Sequence, residues 1–162
     1  MSDETSLFER DPDQVRRLHG GFFNAIPHSR ELGLEVVDMG PGWGVLKVPY
    51  RPELIGNPTT GVLHGGVITS LMDSTCGLAV FCRLPRMEAI ATLDLRLDFL
   101  KPAVIGEDVF ARAECYRLTR QIAFVRATAY QRDPEDPVAT STAAFMRASS
   151  SAKKPFPPRE GQ

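Results

Sequence analysis

The sequence predicts an α+β domain in which an antiparallel β-sheet wraps one long central helix, with a short helix ahead of it. Three observations carry that expectation. Gly65 to Arg83 is the one long helical run, and Val67, Ile68, Leu71, Met72, Leu78, Ala79 and Phe81 cover well over half its circumference. A helix apolar around so much of its surface is a buried one. At ~1.5 Å per residue it is about 28 Å long, a central element for a chain of 162 residues. Downstream, Leu93, Leu95, Leu97 and Phe99 alternate with Asp94, Arg96 and Asp98, the period of two of a strand. Finally, Val109, Ala111, Ala113 and Cys115 form one face of a following strand, Ala123, Val125, Ala127 and Ala129 a second, and Ala139, Ser141 and Ala143 a third. Small side chains on three consecutive strands let a sheet close tightly on a helix.

In chain order, residues 1–9 are polar and read as a disordered N-terminus. Asp11-Pro12-Asp13 then opens a helix: an Asp cap, a proline in the first turn, and Val15, Leu18 and Phe22 at i, i+3 and i+7. That helix is expected to end near Asn24, ahead of Pro27. Leu32 to Val37 reads as a first strand, Pro41-Gly42-Trp43-Gly44 as a turn, and Val45 to Val48 as the returning strand. Arg51 to Leu63 is loop, broken by Pro52, Gly56, Pro58 and Gly61. After the long helix, four strands are expected to meander, with turns at Lys101-Pro102, Gly106 and Asp133 to Pro137. Residues 10–148 therefore form one domain, and 149–162, rich in serine, lysine and proline, a disordered extension.

Composition narrows the function. Apolar residues at 43% and charged residues at 24% exclude disorder throughout. Nineteen basic against 20 acidic side chains give a net charge of −1, so there is no long-range basic field for nucleic acid or an anionic membrane. A local patch for a phosphate-bearing small molecule stays open. Three cysteines (Cys76, Cys82, Cys115), all in apolar stretches, read as reduced core thiols. The start Met1-Ser2-Asp3-Glu4 lacks a signal-peptide layout, and the most apolar window, Gly61 to Cys82, contains His64 and Asp73 and reads as falling short of a membrane span. The expectation is a cytoplasmic protein.

Candidate chemistry converges on the start of the long helix. His64-Gly65-Gly66 opens it, and two glycines uncover the first turn, where unsatisfied N–H groups and the positive end of the helix dipole face outward. Such a terminus can hydrogen-bond a carbonyl oxygen that becomes an oxyanion. The same glycines also fit close packing or a tight turn. Asp73 follows two turns on. Its neighbours three and four positions away (Thr69, Ser70, Cys76, Gly77) include no Lys or Arg, which makes it a candidate general base or nucleophile. The competing reading puts Asp73 on a thin polar stripe, satisfied by Ser70. The loop Asn57-Pro58-Thr59-Thr60-Gly61 can place an amide over the helix terminus or be an ordinary turn.

Two stretches, Gly61 to Asp73 with its His-Gly-Gly opening, and Thr92 to Pro102 ending in Phe-Leu-Lys-Pro, resemble the hotdog-fold acyl-CoA thioesterases of the PaaI type. The resemblance covers residues 30–147, and its most specific part is the Asp nine positions after the His. It implies a hotdog fold and hydrolysis of an acyl-CoA to free acid and CoA, with no metal or cofactor beyond the CoA of the substrate. By position, Asp73 is then the catalytic carboxylate, as base or nucleophile, and the N–H of Gly66, with that of Gly65, polarises the carbonyl. Asn57 positions thioester or water, one residue further from His64 than the family spacing. Thr92 orients the water, and His64 braces the loop. Where the family carries Gly-Arg or Gly-Lys between later strands, this chain has Thr119-Arg120, so Arg120 reads first as a solvated turn residue and only second as a candidate for a CoA phosphate. The resemblance further implies a homodimer doubling to a homotetramer, with the strand from Ala91 to Leu100 pairing with its twin and the site shared between subunits.

Other classes meet specific obstacles. No G-x-S-x-G motif is present for an α/β-hydrolase. Cys76 or Ser74 with His64 as a nucleophilic pair is countered by the apolar setting of Cys76. His19, His28 and His64 and the cysteines show no zinc-ligand spacing. A hotdog hydratase or dehydratase carries Asp-x-Asn-Pro-x-His, but Ile55 stands two positions before Asn57 in place of the Asp, and Thr60 two positions after Pro58 in place of the His. A non-catalytic acyl-CoA-binding module remains the third alternative.

Overall fold

The computed structural model describes residues 5–147, apart from the side chains of residues 18–20 and 22–24. The expectations for Leu18, Phe22 and the tail 149–162 therefore lie outside the described residues. Three short helices lead the chain: α1 (Leu7–Arg10), α2 (Pro12–Ala25) and α3 (Pro27–Leu32). The hairpin β1 (Glu35–Gly40) and β2 (Trp43–Val48) follows, then a 3-10 turn, Pro52–Leu54, and the short strands β3 (Ile55–Asn57) and β4 (Val62–Leu63). The long helix α4 (Gly65–Arg83) leads to β5 (Ile90–Phe99), β6 (Val109–Leu118), β7 (Ile122–Tyr130) and β8 (Ala139–Arg147). One six-stranded antiparallel sheet has the order β1-β2-β6-β7-β8-β5.

That order corrects the expected meander. β6, β7 and β8 are joined as successive hairpins, but β5 pairs with β8 (Leu97 opposite Ser141) and lies at the edge of the sheet. The chain leaves α4 on one margin of the sheet, runs along it as β5, and crosses back to enter β6 beside β2. Arg147 holds the start of β5: its guanidinium donates to Glu88, 2.5 Å away, and to the Thr119 carbonyl.

The small-residue faces are where α4 sits. Ala111, Ala113, Ala123, Val125, Ala127, Ala129, Ala139 and Ala143 are all buried, as are Leu71, Met72, Leu78 and Val80 of the helix. At Gly44 a Cβ would come within 2.6 Å of the Leu78 side chain, so here the helix rests on bare strand backbone. Each large side chain so buried contributes roughly 1.5–3 kcal/mol. Helix α4 ends at Leu84, whose extended backbone suits a residue followed by Pro85. Its 19 residues are in fact long and apolar enough to cross a membrane, contrary to the sequence reading; their burial against the sheet makes α4 the core helix.

Two further corrections lie near the N-terminus. Residues 5–9 are not disordered: Ser6 and Glu9 form a reciprocal capping box around α1, Phe8 is buried, and the Leu7 N–H donates to the Leu84 carbonyl at 2.8 Å. The first strand starts later than expected, because Pro27 opens α3 and Gly33, at φ 70°, ends it in the left-handed conformation that glycine adopts freely.

The alternation of β5 is also interrupted. Thr92 faces Phe145 and Asp94 faces Ala144, so Leu93 is the extra residue of a β-bulge and is 55% exposed. The bulge reverses the phase of the strand. Leu95 and Leu97 face the helix beyond it, while before it the helix-facing positions are Ile90 and Thr92.

Candidate active site

The start of α4 is shaped by His64. Its backbone is extended (φ −62°, ψ 133°), and its imidazole Nδ1 accepts the Gly66 N–H at 2.9 Å, so the histidine is the N-cap. The loop beneath is held by the His64 N–H donating to the Leu54 carbonyl at 2.9 Å. Gly56 is pressed so closely on His64 that a Cβ would fall 2.6 Å from its Cα. This arrangement alters the expectation for Gly66, whose amide is already engaged by the His64 ring. The N–H that the exposed first turn offers to a carbonyl oxygen is that of Gly65, which has no partner among the described residues.

Asn57 builds the preceding turn. Its Oδ1 accepts the Thr59 N–H at 3.0 Å, and its carbonyl accepts those of Thr60 and Gly61. Gly61 takes a φ of 71°, and its carbonyl accepts the Tyr50 hydroxyl proton at 2.7 Å. The exposed Asn57 side chain leaves its amide NH2 facing outward from a rigid turn.

Asp73 is half-buried rather than fully enclosed, on the face of α4 turned toward β5. The Thr92 hydroxyl donates to its Oδ1 at 2.9 Å. The contact depends on the bulge, since an unbroken alternation puts Thr92 on the face opposite Leu95 and Leu97. Among the described residues no Lys, Arg or His lies within ion-pair distance of Asp73. The carboxylate thus keeps its second oxygen for a ligand or water.

The chain brings Asp73 to Thr92 and His64 to Gly66, but it keeps the two pairs apart. Gly66 and Asp73 lie seven positions apart, about 10 Å of helix at ~1.5 Å per residue. The N–H groups of the first turn also point away from Asp73, toward the N-terminal end. Beside Gly65 lies a recess of about 290 Å³ walled by Val62, Ile68, Phe99, Leu100 and Pro102, with Lys101 at its lining. Arg120 is exposed in the β6–β7 turn, at the end of the sheet where β5 begins; the adjacent Gln121 carbonyl accepts the N–H of Arg147, which pairs with Ile90. The cysteines are free and buried, and burial pushes the Cys76 thiol up to about 12, which makes it a poor nucleophile near neutrality.

Comparison with known proteins agrees with this architecture. The profile of the Thioesterase superfamily matches residues 60–138. The chain is 31% identical over 148 residues to a medium/long-chain acyl-CoA thioesterase, YigI, of Salmonella typhimurium, an alignment covering 83% of this chain and 94% of the relative. A crystal structure of a Pseudomonas aeruginosa protein superposes with a TM-score of 0.76 at 45% identity, covering 83% of this chain and 99% of that one. The PaaI protein of the Escherichia coli phenylacetic acid degradation operon superposes with a TM-score of 0.74 at 18% identity, over 84% and 94% of the two chains, and so shares the fold. With a sheet curled around α4, an acidic residue on that helix and a relative aligned over nearly its whole length, this chain belongs to the thioesterase superfamily, as a thioester hydrolase of the PaaI-type hotdog fold.

Proposed function

We propose that this protein hydrolyses medium- to long-chain acyl-CoA thioesters to free acid and CoA, in sites built by two copies of the chain. The observation that carries the reading is the Asp73 carboxylate, half-buried on α4, held at one oxygen by Thr92 and without an ion-pair partner among the described residues. The acyl-chain class follows the similarity to YigI. Asp73 acts as general base: it takes a proton from water, and the water oxygen attacks the thioester carbon. The negative charge that develops on the carbonyl oxygen is stabilised by the Gly65 N–H at a helix N-terminus. Collapse of the tetrahedral intermediate breaks the C–S bond, and the proton held by Asp73 goes to the departing thiolate.

The ~10 Å between the halves and the outward direction of the first-turn amides favour a second copy as the source of one half. Edge strand β5, with Leu93 and Phe99 more than half exposed, is the surface on which two copies would join as a dimer, with further doubling to a tetramer in keeping with the PaaI resemblance. The test is thiol release from a panel of acyl-CoAs of increasing chain length, with Asp73→Asn alongside. Fastest turnover on medium or long chains, lost in the variant, supports the reading. Hydration of enoyl-CoA without thiol release, or binding without turnover, overturns it.

A further inference from the structure

Gly66, Ser70 and Asp73 lie at i, i+4 and i+7 on α4, so Ser70 stands on the same ridge as the carboxylate, one turn nearer the helix start. The other bonded hydroxyls of this helix turn inward on it. Thr69 Oγ1 donates to the Gly65 carbonyl at 3.0 Å, and Thr75 Oγ1 to the Leu71 carbonyl at 2.6 Å. Ser70 behaves differently: its Oγ lies 3.1 Å from Nε2 of His28, 42 residues earlier in the chain on α3. That short helix is well fixed. The Gly33 N–H donates to the Arg30 and Ser29 carbonyls, the Leu34 N–H donates to the Ser29 carbonyl at 2.9 Å, and Ser29 is buried. A histidine on a fixed support is thus directed at a hydroxyl beside the candidate base.

We propose that Ser70, oriented by His28, is the second anchor of the water that Asp73 activates, with His28 as a positioning residue. The proposal rests on the general-base reading above. Side chains three apart on a helix have Cβ atoms roughly 5–6 Å apart, a gap that one water spans with a hydrogen bond to each. A water poised for attack must give both protons to acceptors, so that a lone pair is left for the thioester carbon. Thr92 holds Oδ1 of Asp73, which leaves Oδ2 for the first proton. Ser70 Oγ accepts the second only if its own hydrogen is directed elsewhere, and Nε2 of His28, in the tautomer whose ring proton sits on Nδ1, is the acceptor that takes it. When the water attacks, the proton toward Asp73 is transferred and later passes to the thiolate; the proton toward Ser70 stays with the product carboxyl group and is released from it as the acid ionises.

The test is a double-mutant cycle with His28→Ala and Ser70→Ala, read as kcat and KM for thiol release and as Tm. Each single variant is expected to lower kcat about tenfold, the worth of one lost hydrogen bond, with KM and Tm unchanged. The double variant is expected to be no slower than either single one. His28→Gln, which keeps an acceptor, is expected to recover most of the rate, and His28→Phe, which keeps bulk alone, none of it. Unchanged kcat in His28→Ala, multiplied losses in the double variant, a fall in Tm that accounts for the rate, or equal rates for the Gln and Phe variants each overturn the proposal. Failure is separable from failure of the general-base reading: an Asp73→Asn variant with full activity removes the latter, whereas an inactive Asp73→Asn beside a normal His28→Ala removes only the role of His28.

Discussion

The two ends of the polar ridge on α4 do chemistry of different kinds. At Gly65 the resource is backbone: an amide at a helix N-terminus, exposed because glycine covers nothing and because His64 caps the next amide instead. At Asp73 the resource is a side chain, and its setting comes from a distant strand whose bulge delivers Thr92 to the carboxylate. The first end depends on an uncovered N–H. The second responds to any change in the carboxylate or in the hydroxyl that holds it.

The largest effect is expected from the side-chain end. Asp73→Asn keeps the shape and the Thr92 contact while removing the base, so kcat should fall about 10³-fold, with Tm near that of the wild type. The change is read in thiol-release kinetics beside a thermal melt. Single turnover in ¹⁸O-water sharpens the point, since a general base sends the label to the product acid and leaves the enzyme unlabelled.

Gly65→Pro tests the backbone end. Proline is well suited to the first helical position, His64 already has the extended backbone that precedes proline, and a Cβ at Gly65 meets only the Phe99 ring at 3.5 Å. The substitution deletes one N–H that has no partner among the described residues, so kcat should fall about 10²–10³-fold with little change in Tm. Mixing Gly65→Pro with Asp73→Asn chains probes whether the ends belong to different copies. Random re-pairing makes half the dimers mixed, each with one intact site, so activity should return to about a quarter of wild type. No recovery after exchange is proven would mean that each site takes both ends from one chain.

The two ends were not equally legible in the sequence. Gly65 to Arg83 is marked at its start by glycines and along its length by apolar coverage, and the alanine-rich faces of β6, β7 and β8 are local patterns of period two. Asp73 stood out because no cation shares its helical face. The Thr92 contact was not derivable from pattern: strict alternation places it opposite Leu95, and a bulge arises from pairing with β8, a partner more than 40 residues away. The edge position of β5 was hidden for the same reason, since strand pairing is non-local. His64 as a cap on Gly66 is not legible in the sequence, since histidine is not among the preferred N-cap residues. The capping box of α1 was visible as Ser6 and Glu9, but a four-residue helix shows no periodicity to support it.

A smaller loss measures how far Asp73 depends on the bulge. Thr92→Val removes the hydroxyl and keeps the β-branched shape of a strand residue, so kcat should drop about tenfold, and Thr92→Ser should restore it. Equal rates for the valine and serine variants would show that the Asp73 carboxylate is held by its helix alone.

The smallest effect falls on the backbone end and separates capping from catalysis. His64→Ala deletes the acceptor of the Gly66 N–H but leaves the His64 backbone bond to Leu54 in place. Loss of a cap costs about 1 kcal/mol, a fall in Tm of roughly 2–4 °C for a chain of this size. Because the Gly65 amide is untouched, kcat should stay close to wild type when measured well below the new Tm. A large loss of kcat with an unchanged melt would instead place the imidazole in contact with substrate. It would move part of the chemistry at this end of α4 from backbone to side chain.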